Sequence, residues 1–390
     1  MNSKPENRLP SEKVPVPKQP VPKQPVLKKP VLRILHVANR LNDKGDGIAN
    51  VCVDIACEQA ARGNTVAVAC ASGGFVPLIV ANGVTHHPVD FRKRALFSLL
   101  GAVRRLRTIV RTEQPDVVHA HTMTSTIVAR LACFGRKTPV VATVHNEYQR
   151  GVILMGVANR VIGVSDAVSN AMVRRGISRR RVSTVRNGTV GSVRRAYDPS
   201  TVTIPTLANP SIVAIGAVSE RKGADLLIAA FGQLAAKYPT AELYFVGNVD
   251  WDQVHALAAA TGVDDRIHFV GFHAQPQVYL RVATVFVLAS RRDPFPLALL
   301  EALEAGTPIV ANDVDGVSEA LDKGTAGIIV TPERPGEIAD AVGRLFDSAD
   351  LRAQYSAAGI ERSSLFSVSR MVDDYDALYT RILTAGPARS

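Results

Sequence analysis

The residues with the most chemical potential lie in SRRDPFPLALLEALEAGTPIVA, residues 290–311. A polar loop carrying Arg291, Arg292 and Asp293 leads into a run in which Glu301 stands among Leu299, Leu300, Ala302 and Leu303. A carboxylate in such apolar company must reach solvent, be paired, or hold a ligand. Asp293, near the start of the same helix, can accept hydrogen bonds from the hydroxyls of a polyol. Arg221 and Lys222 stand just before another helix start, with Gly223 after them. Their charge and the free amides of a helix start suit a diphosphate; ordinary surface residues are the alternative.

A second group lies in the first half. Gly45-Asp46-Gly47 separates the first strand from the first helix. Glycines there allow close backbone approach, and the helix start favours an anion. Asp46 adds like charge, the full GxGxxG pattern is missing, and a plain turn is the alternative. His119 and His121 form an HAH pair that invites a metal ion, but no third ligand is obvious, so no metal site is assigned. His145, in TVHN, ends a strand and is the better candidate for a polar group in a cleft, with a cap or supporting role as the alternative. Asn187-Gly188 reads as a tight turn or as a hinge lining the cleft. Cys52, Cys57, Cys70 and Cys133 show neither CxxC nor Cys/His spacing and read as buried small hydrophobes.

These groups need elements to hold them. Residues 31–38 (VLRILHVA) read as a strand, 48–62 as a helix and 65–71 as a second strand, the opening of a Rossmann-like domain. Further strands are expected at 116–119, 139–144, 160–163 and 181–185, with helices at 95–113, 124–134 and 166–175. The pattern loosens over 190–210, read as a connection, and then restarts. Strands follow at 211–216, 241–246, 266–270, 284–289 and 308–311, with helices from Gly223 to about Lys237 and at 252–260, 297–305 and 335–347. A last helix over 369–384 puts Met371, Val372, Tyr375, Leu378, Tyr379 and Ile382 on one face. The expected class is α/β: two Rossmann-like βαβ domains facing each other across a cleft, at 31–200 and 201–368. A C-terminal helix at 369–390 is expected to pack back toward the first domain. Residues 1–30, with the near-repeat PVPKQPVPKQPV, read as a disordered or semi-rigid Pro/Lys-rich tail.

The formal charge of +11 is uneven: +5 over residues 1–30, +14 over 31–200 and −8 over 201–390. A basic first domain can meet an anionic membrane surface or an anionic acceptor, or simply carry a solvated surface. The acidic second domain and the lack of a recognition motif argue against nucleic acid. No run reaches the roughly 20 apolar residues of a spanning helix, and the start lacks an export signal. A cytoplasmic protein is expected, with peripheral attachment to the inner face of the cell membrane as a candidate.

In their order along the chain, these features resemble glycosyltransferase family 4, retaining, sugar-nucleotide-dependent transferases of the GT-B fold. The resemblance covers roughly residues 31–384. Its most specific feature is Asp293-x7-Glu301. Supporting it are the Gly loop before Ile48, His145 in TVHN, VSDAV at 164–168, Asn187-Gly188, Lys222-Gly223, and DGVSEAL followed by GTAGIIV within 315–330. It implies that Glu301 binds the ribose hydroxyls of the donor, Asp293 contacts the transferred sugar, and Lys222, with Arg221 beside it, holds the diphosphate. Pro294 and Phe295 belong to the same donor loop as Asp293, and Asn187 completes the donor set. Gly316 and Val317 resemble a loop presenting backbone amides, and Gly47 and His145 face the reacting sugar. His145, Asp293 and Lys222 are the catalytic candidates.

Three positions depart from the family pattern. Asp293 stands for a Glu, Asp46 for the first Gly of a Gly-Gly loop, and Ala217 for an Arg that usually accompanies the diphosphate Lys. The implied reaction moves a sugar from a nucleotide diphosphate sugar to an acceptor hydroxyl, with retention and with neither metal nor cofactor. A saccharide or lipid-linked acceptor in polysaccharide or glycolipid assembly is expected; the oligomeric state is open. The alternatives are a sugar-nucleotide epimerase or phosphorylase of related architecture, or a non-catalytic binder of sugar nucleotides or polysaccharide.

Overall fold

Val, Ile and Ala dominate the central strands, which are buried on both faces, as parallel strands covered by helices must be. The structure is a computed structural model and describes residues 31–91, 96–195 and 203–385. The Pro/Lys-rich tail lies outside the described residues.

The first sheet holds β1 (Arg33–Arg40), β2 (Thr65–Ala71), β3 (Thr85–Pro88), β4 (Val117–Ala120), β5 (Val140–Val144), β6 (Arg160–Gly163) and β7 (Val182–Thr184). They run parallel in the order β3-β2-β1-β4-β5-β6-β7. Between them lie α1 (Gly47–Ala61), α2 (Val76–Ala81), α3 (Leu96–Glu113), α4 (Met123–Ala132) and α5 (Asp166–Arg174). The second sheet holds β8 (Ser211–Ile215), β9 (Glu242–Val246), β10 (Ile267–Gly271), β11 (Val285–Leu288), β12 (Ile309–Asn312) and β13 (Ile328–Val330). These are parallel in the order β10-β9-β8-β11-β12-β13. Its helices are α6 (Ala224–Ala235), α7 (Val254–Ala259), α8 (Gln277–Leu280), α9 (Leu297–Ala305), α10 (Val317–Ala320) and α11 (Pro335–Asp347), followed by α12 (Ala349–Ser363) and α13 (Val368–Thr384).

Strand order reverses between β1 and β4, and again between β8 and β11. Ligands of doubly wound sheets bind beyond the carboxyl ends of the strands at such points. The loops after β1, β4 and β5, and after β8 and β11, are therefore the ones that can form a site.

Several elements lack the signal expected from sequence. β3 (THHP) is a partly exposed edge strand ending in proline. β13 is a three-residue edge strand. α12 has no apolar stripe; its buried residues are Gly359 and Ser363. Residues 190–195, read as part of a loose connection, are tied down: Val190 pairs with Ser367, and Arg194 and Arg195 are both in ion pairs. α13 lies on the first sheet. Tyr375 and Tyr379 are fully buried, with the Tyr375 hydroxyl 3.1 Å from Thr143 Oγ1 and the Tyr379 hydroxyl 2.7 Å from His119 Nδ1. Burying a large side chain contributes roughly 1.5–3 kcal/mol, so α13 is part of this lobe's core. All four cysteines are free and buried.

Candidate active site

The carboxyl ends of β1, β4 and β5 bring four histidines together. His36 sits within β1, His119 and His121 at the end of β4, and His145 just after β5. His36 Nε2 is 2.8 Å from Gln59 Oε1, His36 Nδ1 is 3.0 Å from His121 Nε2, and His121 Nδ1 is 3.2 Å from His145 Nε2. His119 bonds separately, to Thr143 at 2.7 Å and to Tyr379. Burial lowers His36 and His145 to about 4 and takes His119 and His121 well below their ordinary value, so all four are neutral at pH 7. The sequence showed no third partner for the HAH pair. His36 is one, within 4.8 Å of both, but every ring nitrogen of the three already has a hydrogen-bond partner. Its signal was a histidine inside the apolar strand LRILHVA.

His121 and His145 line a cavity of about 550 Å3 in the first lobe, with Asn39, Arg40, Thr122, Asn146 and Arg150. A second cavity, of about 510 Å3, lies between the lobes. Lys44, Gly45 and Gly47 line it from one side and Gly216, Ala217, Asn248 and His273 from the other. The two cavities share Arg40 and Asp46.

Asp46 caps α1. Its Oδ1 accepts from the amides of Ile48 at 3.1 Å and Ala49 at 3.2 Å. The helix start considered for an anion is thus filled by the chain's own carboxylate, which offsets the helix dipole there. Gly47 keeps its place on the cavity wall.

In the second lobe Lys222 Nζ lies 2.6 Å from Asp293 Oδ2, and Ser290 Oγ donates to the same oxygen at 3.3 Å. The Asp293 amide donates to Asp315 Oδ2 at 2.7 Å, fixing the loop. Gly223, at φ 70°, has no room for a Cβ against the Ala289 carbonyl, which lets the Lys222 turn sit beside the end of β11. Arg221 turns aside, donating to the Arg292 carbonyl at 3.1 Å. Arg292 crosses to the first lobe, 3.6 Å from the centre of the Tyr148 ring.

Five of the residues expected at the donor, Pro294, Phe295, Glu301, Gly316 and Val317, line neither of the two cavities. The Val317 amide is bonded to the Val314 carbonyl at 2.9 Å, because a turn closes there, and is not free for a ligand. The Phe295 side chain is buried edge-on against Phe366, so its contribution is its carbonyl, which accepts from Asn187 Nδ2 at 3.2 Å. A Cβ on Gly316 would overlap the Pro294 carbonyl and crowd Ser165, so Gly316 and Pro294 meet each other and the first lobe. Glu301 is 8% exposed and lines neither cavity. One turn earlier on α9, Leu297 reaches toward Gly47 at the start of α1.

Burial raises the Glu301 carboxyl, against the pull of Arg194 and Arg195. It makes no hydrogen bond among the described residues. Beneath it lies a buried pair missed in the sequence: Arg194 Nη2 is 2.8 Å from Asp54 Oδ2, and Ser192 donates to Asp54 Oδ1 at 2.7 Å. Asp54 carried the same signal as Glu301, an acid within an apolar helical run. Arg195 pairs with Glu304 at 2.6 Å.

Residues 206–362 match the family model "Glycosyl transferases group 1", and residues 45–190 match "Glycosyltransferase Family 4". The chain is a family 4-type glycosyltransferase. Proteins similar to this glycosyltransferase include transferases named for D-inositol 3-phosphate and for phosphatidyl-myo-inositol. It is 29% identical to an alpha-D-kanosaminyltransferase of Streptomyces kanamyceticus over 177 residues, 44% of this chain and 46% of that protein. It is 25% identical to a D-inositol 3-phosphate glycosyltransferase of Acidothermus cellulolyticus over 382 residues, 89% of this chain and 84% of that protein. The structure of Anabaena HepE, solved with UDP and glucose, superposes with a TM-score of 0.76 at 20% identity, covering 90% of this chain and all of that one. The fold is GT-B, with the interlobe cavity at its cleft. Among the described residues, no helix is long and apolar enough to cross a membrane.

Proposed function

We propose that this glycosyltransferase moves a sugar from a nucleotide diphosphate sugar to a hydroxyl of an anionic, saccharide or lipid-linked acceptor, with retention at the anomeric carbon. The observation that carries the reading is the Lys222–Asp293 pair after the strand ends of the second lobe, opposite the His145 cavity of the first. HepE, of the same fold, has been solved with UDP and with UDP-glucose. Lys222 suits the diphosphate, Asp293 the hydroxyls of the transferred sugar and Glu301 the ribose. With Leu297 set against the start of α1, a ribose reaches Glu301 only when the lobes part, so donor binding is coupled to opening and reclosure.

The acceptor oxygen forms a bond to the anomeric carbon as the bond from that carbon to the diphosphate oxygen breaks. The electron pair stays on the diphosphate. Attack and departure on one face preserve the configuration, and the acceptor proton passes to the leaving phosphate oxygen. Lys222 stabilises the charge that grows there. No metal or cofactor is assigned a step.

The acceptor belongs in the 550 Å3 cavity. Asn39, Thr122 and Asn146 suit hydroxyls, and Arg40 and Arg150 suit an anionic group. A membrane surface fits a second feature. α3 exposes Phe97, at 87%, and Leu100 beside Arg104, Arg107 and Arg111. Arg107 donates to the carbonyl of Phe134, which is itself exposed with Leu131. The acidic residue of α3, Glu113, is paired with His87. Such a face suits anionic lipid at the inner side of a membrane.

The deciding experiment supplies UDP-, GDP- and ADP-sugars with phosphorylated polyol and glycolipid acceptors, and follows nucleotide diphosphate release and product anomer by NMR. The reading expects acceptor-dependent release with retention. Inversion, or conversion of the donor without acceptor, would overturn it.

A further inference from the structure

Gln59, His36, His121 and His145 form one unbranched hydrogen-bonded chain running from α1 through β1 and β4 to the cleft. Its three contacts are 2.8, 3.0 and 3.2 Å. The rings of successive histidines are near-parallel, at 29° and 25°. Gln59, His36 and His121 are buried, and His145 lines the first-lobe cavity.

A neutral imidazole has one N–H and one bare nitrogen, so each contact fixes the next. Gln59 presents its oxygen to His36, so His36 Nε2 carries the proton and Nδ1 is bare. His121 must then donate from Nε2, leaving its own Nδ1 bare. His145 must donate from Nε2 in turn, and its Nδ1 is left as an acceptor. Reversing the Gln59 amide reverses every proton and turns His145 Nδ1 into a donor.

We propose that Gln59, His36 and His121 are positioning residues that set the tautomer of His145, so that His145 presents an accepting Nδ1 to a hydroxyl in the cleft. This rests on the proposed sugar transfer only for the identity of the hydroxyl; the tautomer is a property of the free protein. The second group, His119 with Thr143, Tyr375 and Tyr379, packs beside the chain and meets it at Gln59, whose amide N–H side faces the Tyr379 hydroxyl and leaves the oxygen for His36. The chain uses both ring nitrogens of His36 and His121 without a metal ion.

The test is imidazole 15N–1H NMR on the full chain without substrate. His36, His121 and His145 are each expected as the Nε2–H tautomer, and a wild-type His145 carrying its proton on Nδ1 would overturn the proposal. Gln59→Met removes the acceptor at the inner end. A buried N–H without an acceptor is disfavoured over a bare nitrogen, so the chain should reverse and move the His145 proton to Nδ1. kcat is then expected to fall about tenfold, the size of one lost hydrogen bond to the hydroxyl, with the donor KM unchanged. Gln59→Glu, whose carboxylate only accepts, should restore the wild-type tautomer and most of kcat. If the His145 signals in Gln59→Met matched those of the folded wild type, the proposal would fail whatever the activity. A protein with the expected tautomers but no transferase activity would instead contradict the proposed reaction.

Discussion

Lys222 Nζ and Asp293 Oδ2 stand 2.6 Å apart, although the two residues are 71 positions apart in the chain. The ammonium proposed for the diphosphate is therefore already neutralised, and a ligand must compete with Asp293 for it. Lys222→Ala should weaken nucleotide diphosphate binding and lower kcat by about 10²–10³-fold, the usual loss on removing one charge-stabilising donor. Asp293→Asn should bind the nucleotide diphosphate at least as tightly as wild type while losing transfer. Calorimetric titration beside turnover measurements separates the two; equal loss of nucleotide binding in both variants would count against separate roles.

The buried Asp54–Arg194 pair should be the most costly ion pair to break. Removing one partner leaves a buried charge uncompensated, at about 3–5 kcal/mol. Urea unfolding of Asp54→Asn and Arg194→Met should show losses of this size, and a loss below about 1 kcal/mol would mean that the pair is exchanged for solvent at little cost.

Glu301 predicts a pH signature. Burial raises its carboxyl above the ordinary 4.5, so the folded protein binds that proton more tightly than the unfolded chain. The group's unfavourable contribution is complete above its folded value and disappears on acidification below the unfolded value. Glu301→Gln should therefore be more stable than wild type at pH 7 to 8, with the advantage shrinking toward pH 4. Urea midpoints across that range provide the check; a variant less stable at pH 8 than at pH 4, relative to wild type, would reverse the sign.

Much of this fold was legible because parallel strands buried on both faces read as short apolar runs, and because Gly306 stops α9 where the pattern ends. The loops proposed to form the site are legible as polar breaks following strands. Which partners those loops meet is not. In the sequence Asp46 stands as excess charge at an anion site, whereas in the fold it caps the helix itself. Val317 and Phe295 belong to two loops, before α10 and before α9, whose sequences suit a ligand, but a turn takes the amide of Val317 and the core takes the ring of Phe295. His36 carries no sequence signal of its role because its partners, Gln59 on α1 and His121 just after β4, come from separate elements, and no spacing in one segment reports a contact made between elements.

The exposed face of α3 predicts binding to anionic membranes. Each arginine near such a surface is worth about 1 kcal/mol, so Arg104→Ala with Arg107→Ala should weaken binding to vesicles containing anionic lipid roughly 30-fold. Phe97→Ser should weaken it further without changing the salt dependence. Vesicle sedimentation at two salt concentrations reads both effects, and binding unchanged by either substitution would remove this face from the account.

The central claim, a nucleotide-sugar site in the second lobe that includes Glu301, is tested most directly by ligand-induced thermal stabilisation of wild type and Glu301→Ala. A ligand that binds only the folded state at 100 times its Kd adds about 2.7 kcal/mol, a shift of several degrees. At least one of the UDP-, GDP- and ADP-sugars should raise the wild-type Tm, and Glu301→Ala should lose most of that shift. An equal shift in both proteins, or no shift with any of the three, would contradict the account.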